Sequence, residues 1–110
     1  MTRVRMGFYF GTDDGHKLGP GKVALLEAVE EHGSISAAAR ALGLAYGRAW
    51  ERINDLNECF KTPVIETSAR GAVLTPFGAE LVGTFHSMEA AALRAIGRDL
   101  KKLEKQVRSR

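Results

Sequence analysis

Tyr46, Arg48, Glu51 and Arg52 lie within seven residues of one another and offer hydroxyl, guanidinium and carboxylate groups. The two arginines stand four apart, so on a helix they share one face. A guanidinium is a flat fork that engages two acceptors at once, as on the edge of a guanine or on a phosphate. Arg48 is therefore the best candidate for reading a base, with Tyr46, Glu51 and Arg52 beside it. Two hydroxyls upstream, Ser34 and Ser36, and one cation downstream, Arg70, extend the set. Its chemistry is hydrogen bonding to a polyanion, not bond-making.

The other reactive residues assemble into nothing. His16, His32 and His86 fall in a loop, at a helix end and in a long helix, without the His, Cys and carboxylate spacing of a metal centre. The run Gly19-Pro20-Gly21-Lys22 invites comparison with a phosphate-binding loop. It fails twice, since His16 stands where the first glycine belongs and Val23 where a magnesium-binding Ser or Thr belongs. No nucleophile, base and orienting acid can be brought together either. Cys59 is the one cysteine, so no internal disulfide forms, and its apolar setting reads as a buried, inert thiol. The expectation is a binding protein rather than an enzyme, with no cofactor and no metal.

Elements that could position the arginines are visible around them. Ser34 can cap a short helix by accepting from the amides that follow, and Gly43 stands where a left-handed residue ends one. Small residues Ala37, Ala38 and Ala41 would let the next helix pack closely. In that second helix Ala49, Ile53, Leu56 and Phe60 recur at spacings of four, three and four, one apolar stripe. Its opposite face carries Gly47, Arg48, Glu51, Arg52 and Asp55. Trp50 reads as a residue packed at the core boundary. This is the outline of a helix-turn-helix over about residues 34–60, a shape that fits a DNA major groove, although an ordinary helical hairpin has the same spacing.

The flanking chain supplies the remaining frame. Val4, Met6, Phe8 and Phe10 alternate with Arg5, Gly7 and Tyr9, the period of a half-buried strand, and residues 11–16 read as a loop. Pro20 can open a helix whose apolar face is Val23, Leu25, Leu26, Ala28 and Val29, with Gly33 just past its end. Val64–Thr67 and Ala72–Thr75 read as a two-stranded hairpin, a wing over about residues 63–75, with Arg70 at its tip. Beside a recognition helix, such a cation is placed to touch the flanking phosphates or the minor groove. Thr75 and Pro76 then open one long helix to about Val107, roughly 48 Å at ~1.5 Å per residue, more than so small a domain can cover. Phe77, Leu81, Phe85 and Met88 come first on it. Leu93, Ile96, Leu100, Leu103 and Val107 follow at alternating spacings of three and four, a short heptad seam. We assign Phe85, Met88, Leu93, Ile96, Leu100 and Leu103 to dimerisation, a two-fold homodimer being the commonest way to cover such a seam.

Residues from about Gly19 to Phe85 resemble the N-terminal DNA-binding domain of molybdate-responsive regulators of the ModE type, relatives of the LysR-type winged helix-turn-helix. The matching pieces are Gly19-Pro20-Gly21-Lys22, Gly33 to Ala39, Tyr46-x-x-Ala49-Trp50 and Ile53-Asn54-x-Leu56-Asn57. Val64 to Thr67, Gly71 to Thr75 and Gly78 then recur in order. The resemblance implies a mainly α fold with small β content: a winged unit over residues 1–75 and a long linker or dimerisation helix over 76–110. It implies a transcriptional regulator that grips double-stranded DNA as a dimer. The alternative is a winged-helix protein-interaction module that no longer reads DNA. The chain departs from the pattern at Ala45, where a capping Ser is usual, at Gly47, where a basic residue is usual, and in a wing tip of only Ser68-Ala69-Arg70-Gly71. Nothing in it corresponds to the molybdate-binding domains of such regulators, so molybdate sensing is not inherited, and an effector or partner protein of another kind stays open.

Composition agrees with one small module. The chain has 110 residues, 45% hydrophobic and 26% charged, with a net charge of +3. The charge is uneven: residues 1–60 hold seven Lys/Arg against eight Asp/Glu, and residues 61–110 nine against five. The basic excess therefore lies outside the proposed reading head, and a solvated helix end explains it as well as DNA does. The N-terminus lacks the apolar core of a signal peptide and no apolar run is long enough to span a membrane, so the expected location is the cytoplasm.

Overall fold

Val23, Leu25, Leu26, Ala28 and Val29 are buried on α1 (Pro20–His32), so this helix is the axis on which the rest of the chain packs. The computed structural model describes residues 6–108. Around α1 it places β1 (Phe10–Gly11), β2 (Lys17–Leu18), α2 (Ile35–Ala41), α3 (Tyr46–Cys59), β3 (Ile65–Ser68), β4 (Gly71–Leu74) and α4 (Pro76–Gln106). The strands form two antiparallel hairpins, β1 with β2 and β3 with β4. This is a winged helix-turn-helix, mainly α with small β, followed by a long C-terminal helix.

Local chemistry accounts for the boundaries. Pro20 opens α1 without an amide to satisfy, and Gly33, at φ 76°, closes it by donating to the Val29 carbonyl at 2.8 Å. Ser34 caps α2 as expected, its Oγ accepting from the Ala37 amide at 3.0 Å. Gly43 takes the left-handed conformation, φ 68°, and Leu44 donates back to Ala39 at 2.8 Å to close the turn into α3. The small side chains that sink into the core are Ala38 and Ala39; Ala41, expected to share that role, is exposed.

Ala49, Ile53 and Leu56 bury one stripe of α3, and Phe60 sits half-buried at its C-cap. Leu25, Leu26 and Leu56 are fully buried, each removal of a leucine side chain from water contributing about 2 kcal/mol. In the wing, Ile65 pairs with Leu74 and Ser68 with Gly71, which puts Ala69 and Arg70 at the tip. Ile65 and Ala72 point inward while Glu66, Thr67, Ser68 and Val73 are exposed.

Two expectations need correction. A strand over Val4–Phe10 does not form: residues 6–9 carry no regular structure and pairing begins at Phe10, opposite Leu18, while Val4 and Arg5 lie outside the described residues. The partner strand ends at Leu18 because Gly19 and Pro20 open α1, so among the described residues of this segment only Phe10 and Gly11 are paired. Phe8 instead stacks on Phe85, ring centroids 5.5 Å apart. Phe85 is consequently 3% exposed and belongs to the core of its own chain, not to an outer seam.

Helix α4 is about 46 Å long at ~1.5 Å per residue and sets the longest dimension of the molecule, 52 Å against 30 and 24 Å. Its first turns complete the core through Phe77, Leu81, Val82 and Phe85. Beyond them Met88, Leu93 and Leu103 are exposed, and Ile96 and Leu100 half-buried.

Candidate nucleic-acid interface

The N-terminal half of α3 stands clear of the core on one side. Ala45 at its N-cap makes no side-chain cap hydrogen bond, so the first turn relies on neither the hydroxyl nor the basic residue expected by resemblance. Tyr46 is 54% exposed and meets Trp50 edge-on, centroids 6.3 Å apart, while Trp50 packs against the core as its boundary. Arg48 and Glu51 are exposed and Arg52 is half-buried. Among the described residues none of these three side chains has a hydrogen bond or ion pair, so both guanidinium forks keep their donors.

The other sequence-selected groups converge on the same side. Ser34, Ser36, Tyr46 and Trp50 line one open cleft of about 270 Å³ with Thr67 and Ser68 of the wing. Ser34 spends an oxygen lone pair on its cap, which leaves its hydroxyl hydrogen free to donate. Thr67 and Ser68 carry no sequence signal of their own: they are consecutive and both exposed on β3, and only the pairing of the wing brings them to the cleft. Arg70 is exposed at the wing tip, where its backbone amide donates to Ser68 Oγ at 3.1 Å. The cleft thus runs from the start of α2, past the aromatic pair, to the wing.

Asp55 does not share the open face. It turns toward the N-terminal hairpin, where His16 Nδ1 lies 2.7 Å from its Oδ1 and Lys22 engages its Oδ2. Burial works against ionisation of this carboxyl, but the hydrogen bonds from Lys22 and His16 outweigh it and hold Asp55 below the usual carboxylate range. The same bond raises His16 above the ordinary histidine value. Lys22, compared from sequence with a phosphate-binding lysine, is committed to Asp55 and to the Lys17 carbonyl, 2.6 Å away. Cys59 is half-buried, and burial pushes its thiol up, away from the reactive thiolate.

His86 bridges α1 and α4 by standing 3.3 Å from Glu27 and 3.0 Å from Glu89, and these carboxylates, Glu89 foremost, raise it. No group of three or more His, Cys, Asp or Glu among the described residues could hold a metal ion. No helix among them is long and apolar enough to cross a membrane.

Comparison with known proteins adds to this geometry. The profile of the family described as bacterial regulatory helix-turn-helix protein, lysR family, matches residues 21–79. The molybdenum-pterin-binding protein MopB of Rhodobacter capsulatus is 38% identical over 87 residues, covering 74% of this chain and 32% of that protein. The molybdenum transport protein ModE of Azotobacter vinelandii is 31% identical over 102 residues, 88% of this chain and 38% of its own length. The chain thus spans about a third of the length of these relatives. The DNA-binding domain of CbnR, solved in complex with DNA, superposes with a TM-score of 0.62 at 23% identity, covering 76% of this chain and 95% of that one, a likeness of fold.

Proposed function

The chain belongs to the lysR family of bacterial regulatory helix-turn-helix proteins, and from that premise we propose that it is a sequence-specific DNA-binding transcriptional regulator. The observation that carries this reading is the open face of α3, where Arg48 and Arg52 have no side-chain partner among the described residues and the wing stands alongside. Arg48, Tyr46 and Glu51 enter the major groove, with Arg48 on a guanine, a contact that contributes ~1–3 kcal/mol of discrimination. Arg52 faces the groove beside them, Ser34 and Ser36 hold the flanking backbone, and Arg70 reaches the phosphates or minor groove next to it. The similarity to ModE and to the DNA-bound CbnR domain supports duplex DNA as the partner. Nothing in the geometry favours the alternative of an interaction module that has lost DNA reading.

Residues 1–75 form the reading unit in this proposal and residues 76–110 the linker. The first turns of that linker, through Phe85, also complete the core. Met88, Leu93, Ile96, Leu100 and Leu103 lie beyond the core contacts and pair two copies, presenting two recognition helices to a pseudo-palindromic site. A cytoplasmic location follows from that role.

Footprinting the purified chain on genomic DNA tests the proposal. Protection of discrete sites, lost steeply with added salt as counterion release demands, is the expected result. Protection nowhere, with no retention of random duplex at low salt, overturns it.

A further inference from the structure

Helix α3 is tied to the rest of the molecule by two side-chain hydrogen-bond anchors among the described residues. Asn57 accepts from the Val64 amide at 2.8 Å and does not titrate. Asp55 is different. Three segments converge on its one carboxylate: the hairpin loop through His16, α1 through Lys22, and α3 itself. The ring of His16 is aimed by its own loop. Thr12 and His16 exchange hydrogen bonds, the Thr12 amide to the His16 carbonyl at 3.0 Å and the His16 amide to Thr12 Oγ1 at 3.1 Å. Asp55 lies three residues from Arg52 and seven from Arg48, so the clamp holds α3 one to two turns from its reading end.

We infer that His16 is a positioning residue for the recognition helix, clamping Asp55 so that duplex DNA binding weakens as the pH rises from mildly acidic to mildly alkaline. The inference rests on the DNA-binding reading above. The groups facing His16 are Asp14 from its own loop, 3.7 Å from Nε2, Asp55 and Glu58 from α3, and Lys22 from α1 through the shared carboxylate. The Cys59 thiol beside Asp55 stays protonated. Acidic neighbours thus dominate and favour the imidazolium.

The sign follows from linkage. A histidine raised in the folded state stabilises the clamped arrangement through an ion pair that is fully present below its ordinary value and lost as the pH climbs through the raised one, when the neutral ring keeps at most a hydrogen bond to Asp55. Affinity follows the same sign in this proposal because the clamped α3 is the form that meets the duplex. Asp55, held low, stays ionised throughout that range, so His16 is the member of the pair that changes. The other raised histidine, His86, ties α1 to α4 and does not touch α3, which makes it the control.

The test uses the duplex that the wild-type chain enriches from a random pool of about 30 base pairs. Affinity is measured at constant ionic strength at about pH 6 and about pH 8.5, a span that brackets histidine titration. The wild type is expected to weaken about tenfold between the two, a change that affinity titration resolves readily. His16→Gln, which cannot titrate, is expected to bind equally at both pH values, while His86→Gln keeps the wild-type ratio. In the wild type, the midpoint of the affinity change should coincide with the titration of the His16 ring followed by NMR, a readout that stands even if the variant unfolds. A flat wild-type profile, a midpoint away from that of His16, or a wild-type slope in folded His16→Gln overturns the clamp. Binding to no duplex at either pH overturns the DNA-binding reading and the clamp with it.

Discussion

The Ala72 amide donates to the Gly33 carbonyl at 2.9 Å, so the wing is tied to the turn that launches α2. The two halves of the proposed DNA surface are thereby held in register by one backbone bond. Gly71 makes this possible: its φ is 129°, and a Cβ there would sit on that same Gly33 oxygen. We expect Gly71→Ala to destabilise the fold by about 2 kcal/mol through strain at the junction. Gly21→Ala is the control, since its Cβ meets open space in the first turn of α1 and should be neutral or slightly stabilising. Thermal melts followed by circular dichroism decide; equal melting temperatures for the two variants would show that the wing junction tolerates a side chain.

Thr75 makes two bonds with one hydroxyl, donating to the Pro63 carbonyl at 2.6 Å and accepting from the Gly78 amide at 2.9 Å while 4% exposed. It caps α4 and fastens that helix to the start of the wing. Thr75→Ala should cost about 2 kcal/mol, a cap plus a stranded carbonyl. Thr75→Ser restores both bonds and most of the stability. A drop in Tm of about 8 °C or more for the alanine variant, rescued by serine, is the expected pair of results.

These junctions explain which parts of the molecule were legible beforehand. Ser34, Gly43, Pro20 and Thr75 act on residues within one turn of themselves, so caps and stops could be read from adjacent letters. The apolar faces of α1 and α3 follow from period alone. Phe85 could not be placed the same way, because helical spacing gives the stripe but not whether it meets its own core or a second chain. The alternation from Val4 to Phe10 misled for a related reason: a strand needs a partner, and the partner stops at Leu18 because Pro20 turns the chain into α1. The pairing of Asp55 with residues 33 and 39 positions away has no local signature at all.

Arg48 offers a sharp separation of binding from stability. Its side chain is exposed and without a partner among the described residues, so Arg48→Ala should leave the Tm within about 1 °C, surface truncations being near neutral. Sequence discrimination should fall by ~1–3 kcal/mol on the preferred duplex, with affinity for random duplex changed far less. Competition titrations with both duplexes measure the two effects together. Unchanged discrimination removes Arg48 from base reading, and a lowered Tm moves it into the structure.

Arg70 should behave in the opposite way. At the wing tip it has phosphates within reach and no base-reading partner in the proposal, so Arg70→Ala weakens all duplexes alike. The slope of log affinity against log salt should lessen by about one phosphate contact. Titrations at four or more salt concentrations, on preferred and random duplex, provide the slope. A loss confined to the preferred duplex would make Arg70 a reader of minor-groove sequence instead.

The exposed half of α4 yields the last expectation. Leu103 is 63% exposed and Leu93 45%, while Ile96 and Leu100 are half-buried with Met6 lining a hollow beside them, and the apolar surface still open to water costs solvation that a second copy can relieve. Because these residues lie beyond the core contacts, charging them should not unfold the winged unit. We expect Leu100→Glu combined with Leu103→Glu to convert a dimer into a monomer in sedimentation at micromolar concentration, with Tm little changed. Affinity for a two-half-site operator should fall toward that for a single half-site, since the two recognition helices no longer bind as one ligand. Met88→Glu, closer to the core, should weaken the dimer less, because its neighbours Leu81 and Phe85 face inward. A wild-type chain that sediments as a monomer at such concentrations, or a charged variant that stays dimeric, would place the contact between copies elsewhere on the molecule.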